Sequence, residues 1–131
     1  MSKRKVLVIE DDPGIAKMLK SIFLIAGVDI VHADTGRKGL DMLGSEQIGM
    51  IICDIMLPDI IGYDILKQIR TAEKTGHIEK HTPFVFLTAF ADPADIQRGM
   101  DAGADKYLTK PFAAGTLLDT IKEYMPDETN F

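Results

Sequence analysis

The sequence predicts a doubly wound α/β domain, a parallel sheet with helices on both faces. Three observations predict it. Short apolar runs alternate five times with stretches whose apolar residues recur at helical spacing, and the connections between them are short. The runs are rich in Val and Ile without polar alternation, as strands buried on both faces are. The residues able to do chemistry fall at or just after the ends of these runs, where parallel sheets with right-handed crossovers bind ligands.

Val6 to Ile9 form the first strand: four apolar residues, three of them β-branched. Glu10-Asp11-Asp12 end it, and Asp12-Pro13 suits the N-cap and first position of a helix. Ile15, Met18, Leu19, Ile22 and Phe23 give that helix one apolar face, and Gly27 ends it. Val28 to Val31 make a short second strand. Thr35-Gly36 opens the second helix, with Leu40 and Leu43 inward and Gly44 near its end.

The third strand, Ile51-Ile52-Cys53-Asp54, carries one acid at its end, and Ile55-Met56-Leu57-Pro58 follows. A carboxylate there is costly unless it meets cations or donors where the strand leaves the core. Gly62 marks a turn, and Ile65, Leu66 and Ile69 define the third helix. Thr75 to Thr82 reads as a loop; its His77 and His81 have no third metal ligand, and His32, at a strand edge, has no evident partner. Pro83 introduces a fourth strand, Phe84 to Leu87, ending at Thr88.

Asp92-Pro93 repeats the cap-and-proline device. The fourth helix is weak: Ile96 and Met100 are its main apolar residues, and Gly99 costs about 1 kcal/mol relative to Ala. After Gly103, Lys106 to Thr109 form the fifth strand, which leads to Lys110-Pro111-Phe112. Leu117, Leu118, Ile121 and Met125 make the last amphipathic helix. Pro126 stops it, and Asp127 to Phe131 are expected to fray.

The whole, residues 1–131, reads as one domain with a core over about 4–125 and a tail from 126. A net charge of −5 argues against a direct nucleic-acid surface. The basic start is followed by too few apolar residues for the core of a signal peptide, and no run is long enough to insert in a membrane. The single Cys53 excludes an internal disulfide and fits a reducing compartment, so a cytoplasmic location is expected. In an apolar strand it is expected to be buried and inert.

If the first, third, fourth and fifth strands are neighbours, one crevice collects Glu10, Asp11, Asp12, Asp54, Thr88 and Lys110. Clustered carboxylates cannot all stay ionised without cations. A hard divalent ion such as Mg²⁺ resolves this, and metal, lysine and hydroxyl together suit a phosphoryl group. Cys53 is expected to be buried and inert, and no Ser or His stands at a strand end near the cluster, so the available nucleophile is a carboxylate. Attack on phosphorus gives an acyl phosphate, and Asp54, central in the sheet, is the natural choice.

These residues resemble the receiver domain of two-component response regulators. The matches are Val8-Ile9-Glu10-Asp11-Asp12, Cys53-Asp54-Ile55-Met56-Leu57-Pro58, Gly62, Leu87-Thr88-Ala89, and Ala102-Gly103-Ala104-Asp105 running into Tyr107-Leu108-Thr109-Lys110-Pro111-Phe112. The resemblance implies the flavodoxin-like, CheY-like fold, with five parallel strands in the order 2-1-3-4-5 and five helices. It implies a phosphorelay switch that catalyses only its own phosphorylation and dephosphorylation. Asp54 would accept a phosphoryl group from a sensor histidine kinase or a histidine phosphotransfer protein. Asp11, Asp54 and the Met56 backbone carbonyl would bind Mg²⁺, with Glu10 acting mainly through a metal-bound water and Asp12 capping the first helix. Lys110, joined to Pro111 by a cis bond, would pair with a phosphoryl oxygen. Thr88 would move onto the phosphoryl group, and Tyr107 would swing into the space it leaves. The fourth helix, fifth strand and last helix would then present a changed face to an output domain or target protein.

Two departures stand out. Ile61 occupies a position before Gly62 where the family often has an acid; local packing and a partner contact both account for exposed isoleucines there. Met56 and Phe90 are apolar where polar side chains can orient the hydrolytic water, so slow self-dephosphorylation is expected, over minutes to hours.

Competing readings fit less well. An Mg²⁺-dependent phosphatase with an Asp nucleophile usually carries an Asp-x-Asp pair after the first strand and a cap insertion, both missing here. A flavin carrier needs a hydroxyl- and glycine-rich phosphate loop where this chain has acids. An interaction-only receiver that is never phosphorylated would not need the complete constellation. No output domain is present in the sequence, which leaves open a stand-alone regulator or part of a longer protein.

Overall fold

The computed structural model describes residues 4–78 and 80–129. Ten elements alternate: β1 (Lys5–Ile9), α1 (Pro13–Ala26), β2 (Ile30–Ala33), α2 (Gly36–Ser45), β3 (Ile48–Cys53), α3 (Gly62–Lys74), β4 (Phe84–Thr88), α4 (Pro93–Asp101), β5 (Lys106–Thr109) and α5 (Ala114–Tyr124). The strands form one parallel sheet in the order β2-β1-β3-β4-β5. This is the doubly wound sheet that the alternation predicts, in the strand order that the family resemblance implies.

Alternate strand residues point to opposite faces, so each strand feeds two cores. Val6, Val8, Met50, Ile52, Val85 and Leu87 pack with α1 and α5. Leu7, Ile9, Ile51, Cys53, Phe84 and Phe86 pack on the other face, chiefly with α3. Cys53 is fully buried and burial raises its thiol pKa well above the ordinary value, as an inert thiol requires.

Four local expectations need correction. The second strand begins two residues later than predicted. Gly27 takes a left-handed conformation, and the Val28 N–H closes the helix end on the Phe23 carbonyl at 3.0 Å. Val28 therefore belongs to the cap of α1 rather than to the sheet. Met18 lies on the outer side of α1, and Ala16 and Ala26 complete the buried stripe in its place. Asp92 precedes Pro93 as a cap residue should, but its side chain makes no cap hydrogen bond. Asp12, by contrast, accepts from the Gly14 and Ile15 N–H groups at 2.8 and 3.2 Å.

The fourth correction concerns the tail. Glu128 is buried and accepts from Arg4 Nε at 2.8 Å, so the chain does not fray directly after Pro126. Residues 130 and 131 of the expected tail lie outside the described residues.

Candidate functional site

Glu10, Asp11, Asp54, Thr88 and Lys110 all stand at the carboxyl edge of the sheet. Three parallel ladders bring them together. Ile9 pairs with Cys53, so Glu10 and Asp54, the next residues, leave neighbouring strands side by side. The Asp54 N–H bonds the Ile9 carbonyl at 3.0 Å and carries the ladder one residue past β1. Thr88 pairs with Thr109, and the Lys110 N–H donates to the Thr88 carbonyl at 2.8 Å. The Lys110–Pro111 peptide is cis.

Lys110 spans the acids. Its Nζ donates to Glu10 Oε1 at 2.6 Å and to Asp54 Oδ2 at 2.9 Å. The other Asp54 oxygen accepts from the Ile55 N–H at 2.7 Å. Only 4% of the Glu10 side chain and 12% of that of Asp54 are exposed, so this is a sheltered pair of carboxylates rather than a solvated acidic surface. Burial raises the Glu10 pKa above 4.5, against the opposing pull of the Lys110 bond and of the Asp12 N–H. Burial also pulls Lys110 down, but its bonds to Glu10 and Asp54 together outweigh that and leave it raised.

Asp11 is exposed beside this pair. One carboxylate oxygen each from Glu10, Asp11 and Asp54 lies within 4.8 Å of the others. Three carboxylates facing one ammonium leave an uncompensated negative charge, and an all-oxygen donor set of this kind fits a hard divalent cation such as Mg²⁺.

Gly62 keeps this edge compact. It is the first residue of α3, and a Cβ there would lie 2.5 Å from the Asp54 carbonyl oxygen and 2.9 Å from Ile55 Cα. Neither backbone atom can yield cheaply. In the loop before it, Ile60 and Ile61 pack against the α3-side core, which accounts for their apolar character by local packing. Asp59 reaches across to the start of α2, where its carboxylate accepts from the Gly36 and Arg37 N–H groups at 2.8 and 2.9 Å.

Thr88 is buried at the end of β4, and its hydroxyl accepts a long 3.4 Å bond from the Phe90 N–H. Tyr107 is half-buried on β5 and donates to the Phe90 carbonyl at 2.7 Å. Its ring stands 5.8 Å from that of Phe86, which in turn meets the Tyr63 ring at 5.5 Å. Gly99 is the one fully buried residue of α4 and lies against these rings. Met56 and Phe90 are exposed beside the site.

Sequence reasoning missed two contacts. His32, left without a partner, puts Nε2 2.6 Å from the Glu10 backbone carbonyl. Arg98 of α4 stacks over the Tyr63 ring, 4.2 Å from its centroid. Neither carries a local motif; each depends on strand register or helix docking.

The response regulator receiver domain model matches residues 6–122. The chain belongs to that family. Among curated relatives, this receiver is 35% identical over 118 residues to the DNA-binding dual master transcriptional regulator RpaA of Synechocystis sp.. That match covers 90% of this chain and 47% of RpaA. It is 36% identical to the probable transcriptional regulatory protein SilR of Salmonella typhimurium, over 90% of this chain and 49% of SilR. The chain thus spans about half the length of the curated relatives it matches. The solved chemotaxis protein CheY4 of Vibrio cholerae superposes with a TM-score of 0.83 at 30% identity, over 95% of this receiver and all of CheY4. No helix among the described residues is long and apolar enough to cross a membrane.

Proposed function

We propose that this receiver is a phosphoacceptor switch in a two-component pathway, with Asp54 as the acceptor. The observation that carries this reading is the Lys110 ammonium held between Glu10 and Asp54 in a sheltered crevice at the strand ends. A carboxylate oxygen of Asp54 attacks the phosphorus of a phosphohistidine on a sensor kinase or phosphotransfer protein. The N–P bond breaks, the imidazole nitrogen keeps the electron pair, and an aspartyl phosphate results. Lys110 is within reach of the Asp54 oxygens and neutralises charge that develops on the phosphoryl group.

Asp11, Asp54 and the Met56 carbonyl are the groups we assign to Mg²⁺, with Glu10 acting through a water. The ion, when bound, supplies positive charge against the phosphoryl oxygens. It also balances acids that Lys110 alone leaves in excess.

Phosphorylation shifts the domain between two forms only through contacts better made in one of them. Thr88 exchanges its weak bond to Phe90 for a phosphoryl oxygen, and Tyr107 turns toward the vacated space. The responding surface is α4, β5 and α5, because α4 buries little beyond Gly99. That face contacts an output domain or a separate target in the cytoplasm, and the receiver itself binds no nucleic acid directly and does not insert in a membrane.

Intact-protein mass after incubation with Mg²⁺ and acetyl phosphate tests this. One added phosphoryl group is expected, absent with EDTA and absent in Asp54→Asn. Equal labelling of Asp54→Asn would overturn the assignment.

A further inference from the structure

The second strand supplies no acid to the site, yet β2 fixes the turn that carries two of the candidate metal ligands. Ala33 accepts the Glu10 N–H at 3.0 Å, and His32 Nε2 lies 2.6 Å from the Glu10 carbonyl oxygen. A carbonyl can only accept, so Nε2 bears the hydrogen. The peptide whose carbonyl His32 binds is the one that joins Glu10 to Asp11. Its plane sets the direction in which the Asp11 side chain leaves the backbone. One residue on, the Asp12 N–H returns to Glu10 Oε2 at 3.2 Å, and Asp12 caps α1. His32 is the side chain that ties the first peptide of this acidic turn to the sheet.

We propose that His32 is a positioning residue for cation binding: by holding the Glu10–Asp11 peptide it aims Asp11 at the site shared with Glu10 and Asp54. This rests on reading that cluster as a Mg²⁺ site. Outer partners that orient ligands change metal affinity without touching the metal, typically by about 10–100-fold. The buried Glu10 side chain is already fixed by Lys110 and the Asp12 N–H. Asp11 is exposed, so the backbone is its main restraint. A loss of His32 therefore falls on Asp11.

Mg²⁺ titration of the free protein, followed by amide NMR shifts, tests the proposal with His32→Ala and His32→Gln. Gln can place an amide N–H near the position of Nε2. The expected result is about tenfold weaker Mg²⁺ binding in His32→Ala, recovery in His32→Gln, and faster Asp11 amide exchange in metal-free His32→Ala alone. Unchanged affinity in His32→Ala overturns the positioning role, and so does equal weakening in both variants, which would mark a packing effect. Absence of Mg²⁺ binding in the unsubstituted protein overturns the reading of the acidic site itself, and the proposal with it.

Discussion

The Nζ of Lys110 stands 2.6 Å from Oε1 of Glu10, a residue 100 positions earlier in the chain. Both side chains are largely buried, with 16% and 4% exposed. Such a pair is retained at a strand end because each partner makes the other tolerable there. Lys110 also holds Asp54, its second partner, at 2.9 Å in the same sheltered crevice.

Removing the ammonium leaves carboxylates facing one another in a sheltered crevice. Deleting one partner of a buried pair costs about 3–5 kcal/mol, and Lys110→Ala is expected to lose about 3 kcal/mol at pH 7.5. The folded pKa of Glu10 is raised, so the folded state holds its proton above 4.5. Stability from that proton is fully present below 4.5 and is lost as pH rises through the folded value. Lys110→Ala raises Glu10 further, so its deficit narrows as pH falls toward 5. Urea unfolding at both pH values checks this; an equal deficit at the two would contradict it.

Gly99 decides between two opposite effects. Ala in a helix interior is better than Gly by about 1 kcal/mol. At this position, however, a Cβ would lie 2.9 Å from Tyr107 Cδ2 and 3.2 Å from Phe86 Cδ2. Overpacking of this kind costs about 1–3 kcal/mol, so Gly99→Ala is expected to destabilise. In a Tyr107→Ala background the nearer ring is gone, and the same substitution becomes about neutral. A double-mutant cycle by chemical unfolding measures the difference.

Glu128 closes the chain end onto Arg4, whose side chain is 39% exposed. Solvent screening limits the pair to about 1 kcal/mol. Truncation after Met125 is expected to lower the thermal midpoint by roughly 3–6 °C, with little effect on phosphorylation. No shift in the midpoint would return the tail to the solvated end expected from sequence.

Met56 and Phe90 are apolar and exposed beside Asp54 and Thr88, and neither side chain can hydrogen-bond a water as a polar group would. The aspartyl phosphate is therefore expected to persist for minutes to hours. Met56→Asn should shorten its lifetime about tenfold, below the ~10²–10⁴ of a fully positioned general base. The decay of the phosphorylated mass with time checks it.

The sheet was legible because Val6–Ile9, Ile51–Cys53 and Phe84–Leu87 are unbroken apolar runs that end on polar residues. Those endings carry Glu10, Asp54 and Thr88, and the adjacency of β1, β3 and β4 puts all three on one edge of the sheet. What stayed hidden depends on long-range register. Gly99 reads as a cost to a helix until Tyr107 and Phe86 are set beside it. His32 gains its partner only when β2 lies against β1 in the observed register, with Val8 opposite it. Val28 looks like strand because its role in closing α1 comes from backbone conformation at Gly27, not from its own side chain.

The central claim is that the carboxylate of Asp54 carries the phosphoryl group. Borohydride reduction of the phosphorylated protein converts an aspartyl phosphate to homoserine, and peptide mass mapping then locates it. The account predicts homoserine at position 54 alone, lost when EDTA is present during phosphorylation. Homoserine at position 11 or 12, or a phosphoryl group stable to borohydride, would contradict it.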